Sequence, residues 1–157
     1  MPQERKNRKT LDHTIPFWVT NHTLNKTFFI TICCKQRHHN QLAKPEIWSG
    51  LLETISTRNE RNLWTCHLAL VMPDHFHGLF SFEGKKSMSS LIKDWKRWTA
   101  KRLKINWQDG LFDHRLRSNE SLVEKRQYIF NNPVRAGLIS DSGDWPYLWE
   151  RNESSES

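Results

Sequence analysis

The chain has 157 residues, 24 of them Lys or Arg against 17 Asp or Glu, for a net charge of +7. That length is one domain with room for a core, and that charge implies an anionic partner without choosing between nucleic acid, a membrane surface and plain solubility. No apolar stretch approaches the roughly 20 residues of a membrane span, and no signal-type segment follows the charged start, so a cytoplasmic protein is expected.

Residues 1–24 are polar and basic, with Arg5, Lys6, Arg8 and Lys9 clustered early. A terminus of this kind frays by default, and phosphate contact is its second reading. Pro16-Phe17-Trp18-Val19 offers an anchor for this arm on the body. Residues 27–34 (Thr-Phe-Phe-Ile-Thr-Ile-Cys-Cys) are β-branched and aromatic and predict a strand. Cys33, Cys34 and Cys66 lack metal-type spacing and read as buried core residues in a reducing compartment. A basic loop follows; its His38-His39 pair is set aside, because adjacent side chains on an extended chain point apart. Pro45 suits a first helical turn, and Ile47, Leu51 and Ile55 form an apolar stripe, so a helix is expected from 45 to about 59–62.

Residues 64–72 are apolar on both faces, as in a central strand. Met72-Pro73-Asp74 turns directly into a second run, residues 75–82, most simply as an antiparallel hairpin. Alternation puts His75 and His77 on one face of that strand and Phe76, Phe80 and Phe82 on the other. Two imidazoles held side by side over a hydrophobic anchor are a ready metal-ligand pair. By itself His-x-His is a weak signal, and polar residues on the solvated face of a half-buried strand are its favoured explanation.

A serine-rich start (Ser87, Ser89, Ser90) opens a helix to about residue 104. Met88, Leu91, Ile92, Trp95 and Thr99 form its packing face. Lys93, Lys96, Arg97, Lys101 and Lys104 form a positive stripe with Trp98 beside it, which favours nucleic-acid contact over a merely solvated face. Residues 107–117 are irregular, with room for a short strand. Ser118 or Ser121 caps the next helix, Ser121-x-x-Glu124 having the capping-box form, and Pro133 is expected to stop that helix near Asn132. On that helix Tyr128 and Asn132 share a face, with Glu124 a turn earlier. An oxygen ligand beside an oxygen nucleophile is one reading; a helix-ending Asn and a satisfied core tyrosine are the other. Trp145-Pro146-Tyr147-Leu148-Trp149 either closes the core or faces a ligand, and the polar tail 150–157 is expected to be disordered. The pattern as a whole is α+β: a single domain at 25–149 with an antiparallel sheet flanked by helices.

Val71-Met72-Pro73-Asp74-His75-Phe76-His77, taken with Tyr128-Ile129-Phe130-Asn131-Asn132-Pro133-Val134-Arg135-Ala136-Gly137-Leu138, resembles the single-tyrosine HUH transposase superfamily, and most of all its REP-associated tyrosine transposase branch. The resemblance spans roughly residues 8–149 and includes Asp113-His114-Arg115-Leu116-Arg117 and Asp144-Trp145-Pro146-Tyr147. Position 74 is Asp where many relatives carry Asn, and Gly78-Leu79-Phe80 stands where leucines are commoner. The resemblance implies a ferredoxin/RRM-like HUH nuclease fold. It implies one divalent ion, Mg²⁺ or Mn²⁺, held by His75 and His77 with Asn132 as third ligand; zinc is also compatible with such a donor set. Tyr128 would attack a scissile phosphate, forming a 5′-phosphotyrosine and freeing a 3′-hydroxyl. The phenol must lose its proton, and Asp74, Glu124 or a metal-linked water are the candidates. The implied substrate is single-stranded DNA with a hairpin, as in REP elements, contacted by the Lys93 to Lys104 stripe, the basic arm, His114, Arg115, Arg117 and the 145–149 aromatics. A monomer is expected, a dimer with shared sites being the alternative known in the superfamily. Two other functions fit the sequence: a catalytically silent DNA-binding regulator on the same fold, and a metal-dependent hydrolase in which Tyr128 is structural.

Overall fold

A computed structural model of the chain describes residues 16–20 and 26–152. Arg5, Lys6, Arg8 and Lys9 of the basic arm, and the tail from 153 on, lie outside the described residues. Strands β1 (Thr27–Cys33), β2 (Thr65–Met72), β3 (His75–Ser81), β4 (Phe112–Arg115) and β5 (Leu148–Glu150) pair antiparallel in the order β4-β1-β3-β2-β5. The expected hairpin is present: Met72 pairs with His75, leaving Pro73 and Asp74 as the turn.

Alternation along the strands gives the sheet two apolar faces, each covered by helices. On one face Ile30, Ile32, Phe76 and Phe80 meet Leu51 and Ile55 of α2 (Pro45–Glu60) and Ile92 and Trp95 of α3 (Met88–Leu103). On the other, Leu68, Leu70 and Leu79 meet Trp18 and Val19 of α1 (Phe17–Thr20) and Leu122, Ile129 and Phe130 of α4 (Asn119–Arg135). Each fully buried side chain of this size stabilises the fold by roughly 1.5–3 kcal/mol, so the two layers hold the sheet from both sides. Gly78 belongs to the first face, where the Phe76 and Phe80 rings occupy the space that a Cβ would need. Trp18 and Val19 are buried in the second core, so the anchor expected at 16–19 is part of the domain.

Local chemistry explains most helix ends. Pro45 opens α2, where the first N–H groups have no helical acceptor. The Ser87 hydroxyl accepts from the Ser90 amide at 3.1 Å to cap α3. Ser118, rather than Ser121, caps α4, accepting from the Ser121 amide at 3.0 Å, so the expected capping box is not used. Nor does Pro133 end α4. It lacks the N–H that would bond the Ile129 carbonyl, yet the helix runs on to Arg135. The end is set by a Schellman motif: Leu138 N–H donates to the Pro133 carbonyl at 2.9 Å and Gly137 N–H to Val134 at 3.0 Å, with Gly137 at φ +78°.

The 145–149 aromatics close the core. Trp145 Nε1 donates to the Val71 carbonyl at 3.0 Å, and Tyr147 packs edge-on to Trp48. Ordered structure also passes the expected boundary at 149, since Glu150 ends β5. All three cysteines are buried and free. Among the described residues no helix is long and apolar enough to cross a membrane.

Candidate active site

His75 and His77 stand on the α4 side of β3, with Phe76 buried on the other side, as the alternation requires. Their ring centroids are 4.8 Å apart. His77 is nearly buried; its ring stacks on Phe29 at 5.4 Å and meets Tyr128 edge-on at 5.9 Å. Tyr128 also meets Phe29 edge-on, so one phenylalanine of β1 supports both rings. Asn132, one turn on from Tyr128, is buried at 8% exposure, whereas Tyr128 keeps 43% of its surface in solvent.

Each imidazole has its Nδ1 engaged. His75 Nδ1 is bonded to Asp74 Oδ1 at 2.8 Å, and His77 Nδ1 shares a hydrogen bond with Thr31 Oγ1 at 2.8 Å. The Asp74 carboxylate can only accept, so it places the proton on His75 Nδ1 and leaves the Nε2 lone pair for a ligand; the Thr31 hydroxyl, able to accept from Nδ1–H, allows the same tautomer at His77, and such partners are the usual support for metal-binding histidines. Burial lowers the His75 pKa against the opposing pull of Asp74. Burial, then the charges of His75, Arg135 and Lys125, bring His77 down to about 3. Both rings are therefore neutral at physiological pH, the form that binds metal. The donor set thus fits a divalent ion. Among the described residues no group of three or more His, Cys, Asp or Glu is placed to hold a metal ion.

Asp74 is heavily committed. It accepts from Arg37 Nε at 3.0 Å and from the His38 amide at 2.7 Å as well as meeting His75. Burial would raise its carboxyl, but the His38 amide, His75 and Arg37 hold it well below the usual carboxylate range. Such a group orients His75 and is a weak base. Glu124 is solvent-exposed on α4, a turn before Tyr128.

Four contributors were not singled out in the sequence. The Arg135 guanidinium lies over the Tyr128 ring at 4.2 Å, and the Lys125 amine lies 5.7 Å from the same centroid. Arg37 holds Asp74, and Thr31 holds His77. Arg135 is seven residues beyond Tyr128, two turns on, and was hidden by the expectation that Pro133 ends the helix. Arg37 and Thr31 become visible only with the β1–β3 register, which pairs Cys33 with His75 and Thr31 with His77.

The positive stripe lies elsewhere. Lys93, Lys96, Arg97, Lys101 and Lys104 belong to α3 and its C-cap, in the layer on the far face of the sheet from His77. Lys96 donates to the Gln108 and Gly110 carbonyls at 2.8 and 2.5 Å, so it braces a loop. Arg115 lies 5.4 Å over the Phe28 ring, on that same far face, and Arg117 is exposed before α4.

A neutral imidazole pair with free Nε2 atoms, a half-exposed phenol and two flanking cations form a site able to receive a phosphodiester. The chain matches the family Transposase IS200 like over residues 23–131 and belongs to that family. It is 27% identical over 128 residues to the REP-associated tyrosine transposase of Escherichia coli (strain K12), covering 77% of this chain and 74% of that protein. Its fold matches a solved structure of a REP-associated tyrosine transposase bound to a REP hairpin, with a TM-score of 0.70 at 23% identity over 81% of this chain and 78% of that one. The α+β fold and the family expected from the two motifs are both borne out.

Proposed function

We propose that this transposase is a metal-dependent enzyme that nicks and rejoins single-stranded DNA near a hairpin through a covalent 5′-phosphotyrosine. The reading is carried by the placement of Tyr128 edge-on to His77, 5.9 Å away, with His75 4.8 Å beyond. The names of its relatives, REP-associated and bound to a REP hairpin, support a hairpin-bearing substrate.

The Nε2 atoms of His75 and His77 and the amide oxygen of Asn132 would hold one Mg²⁺ or Mn²⁺ ion, which when bound supplies charge neutralisation and polarisation at the scissile phosphate. Lys125 and Arg135, on either flank of Tyr128, attract and orient the phosphate. Tyr128 Oη attacks phosphorus; the new O–P bond forms as the bond to the 3′ oxygen breaks, releasing a 3′-hydroxyl. The phenolic proton passes to water or to Glu124, since Tyr128 is open to solvent and Asp74 is tied to His75 and Arg37. Rejoining reverses the step, a 3′-hydroxyl displacing the phenolate.

The test is incubation with a hairpin-bearing single-stranded oligonucleotide and Mn²⁺ or Mg²⁺, followed by a denaturing gel. A protein–DNA adduct is expected from the wild type and none from Tyr128→Phe. An adduct that persists in the variant removes Tyr128 as nucleophile. Cleavage without adduct points to the hydrolase, and binding without cleavage to the regulator.

A further inference from the structure

We infer that Phe112 and the cleft beside it form a subsite for one unstacked base of the single strand, next to the cleaved phosphate; this rests on the function proposed above. The other seven phenylalanines are buried or half-buried, while Phe112 is 70% exposed on the edge strand β4. Its direction follows from register. Phe112 pairs with Thr31, and Thr31 with His77, so the three share one row and one face of the sheet. Its neighbour Leu111 packs against the α2–α3 core, as alternation demands if Phe112 faces the Tyr128 side. Two strand spacings separate Phe112 from His77, roughly 10 Å.

A cleft of about 340 Å³ opens beside the ring, lined by Cys33, Gln108, Asp109, Gly110, Leu111 and Phe112. Cys33 is the direct partner of His75, so the cleft borders the imidazole pair. Its walls are fixed: the Gln108 amide donates to the Cys33 carbonyl at 2.8 Å, and Lys96 clamps the Gln108 and Gly110 carbonyls. The chemistry suits a base. The lining residues include one carboxylate, Asp109, and no Lys or Arg, although Lys96 and Arg37 bond to lining residues from behind; Gln108 and Asp109 supply hydrogen-bonding groups for a base edge, and Phe112 supplies a stacking face.

A second cleft of about 340 Å³ shares Asp109, Gly110 and Leu111 and adds Ser89, Lys93, Lys96 and Arg97. A strand leaving the base subsite around the β4 edge therefore meets the α3 cations. This connects the positive stripe to a catalytic site on the opposite face.

The test is an abasic scan. Hairpin-bearing oligonucleotides with one abasic site walked through the positions flanking the cut are titrated against wild type, Phe112→Ala and Phe112→Tyr. At one position the abasic site is expected to weaken wild-type binding by roughly 5- to 150-fold, the usual range for one stacked base. Phe112→Ala should weaken binding of the intact oligonucleotide to a similar extent, show no further loss at that position, and still form the Tyr128 adduct at saturating DNA; Phe112→Tyr should bind like wild type. The inference is overturned if Phe112→Ala binds every oligonucleotide as wild type does, or if the abasic loss persists undiminished in it. Wild type that forms no adduct at all overturns the proposed function and this subsite with it, whereas adduct formation with no effect of Phe112→Ala overturns the subsite alone.

Discussion

Asp74 decides which nitrogen His75 presents, and Thr31 allows the same tautomer at His77. Thr31→Val keeps the shape of the β1 side chain and removes the hydroxyl from His77 Nδ1. The fold should be retained while the apparent affinity for Mn²⁺ falls by roughly 10- to 100-fold, the usual effect of losing such support; adduct yield titrated against Mn²⁺ measures it. Burial of neutral imidazole also gives the stability of the metal-free protein a pH dependence. His77 is held down to about 3 in the fold, against about 6.5 for a histidine in water. The unfolded chain therefore binds the extra proton, and the stability present above about pH 6.5 is lost as pH falls toward 3. The lowered Asp74 carboxyl acts in the same direction, its contribution fading below about pH 4. Urea midpoints of chelator-treated protein should drop from pH 6.5 to 4.5, and the slope should flatten in His77→Gln.

At the scale of elements, α4 has to be held against the sheet for Tyr128 to sit on the histidine face. Arg126 of α4 is buried and meets the Glu150 carboxylate of β5 through Nε at 2.5 Å and Nη2 at 2.8 Å, and Trp18 Nε1 of α1 donates to the same carboxylate at 3.1 Å. One acid thus joins three elements. Removing it strands a buried guanidinium, so Glu150→Ala should cost roughly 3–5 kcal/mol, read by equilibrium urea unfolding, with Glu150→Gln losing less because it keeps an acceptor. β1, β2, β3 and the start of each long helix were readable from sequence, since alternation, Pro45 and Ser87 act locally, whereas β5 was not, because Leu148–Glu150 is too short to show alternation and becomes a strand only by pairing with β2. The end of α4 was not. The proline rule competed with a Schellman stop at Gly137, and packing of Ile129, Phe130 and Pro133 let the helix pass the proline and bring Arg135 over Tyr128.

Across the whole molecule, chemistry and charge occupy opposite faces of one sheet: His75, His77 and Tyr128 on the α4 side, and Lys93 to Lys104 on the α3 side. If the α3 cations contact substrate phosphates, they act on affinity and not on the chemical step. The double variant Lys93→Ala/Arg97→Ala should weaken oligonucleotide binding and lower the slope of log K against log salt by about 1.4, near 0.7 per phosphate contact on a single strand. Adduct formation at saturating DNA should be unchanged, and an unaltered salt slope would show that these residues touch no phosphate.

The sequence by itself determined the His75-x-His77 and Tyr128-x-x-x-Asn132 motifs, the faces on which their side chains fall, and the hairpin between β2 and β3. These are set by alternation, helical spacing and a turn at Pro73-Asp74, all of which are local. Only the tertiary structure decided that Thr31, 46 residues away, would share a hydrogen bond with His77, that Arg37 would hold Asp74, and that α4 would lay Tyr128 beside the imidazoles. Those contacts depend on the register of β1 against β3 and on which face of the sheet each helix covers, and both are fixed by burying two apolar faces at once, a condition on the whole chain and not on any one segment of it.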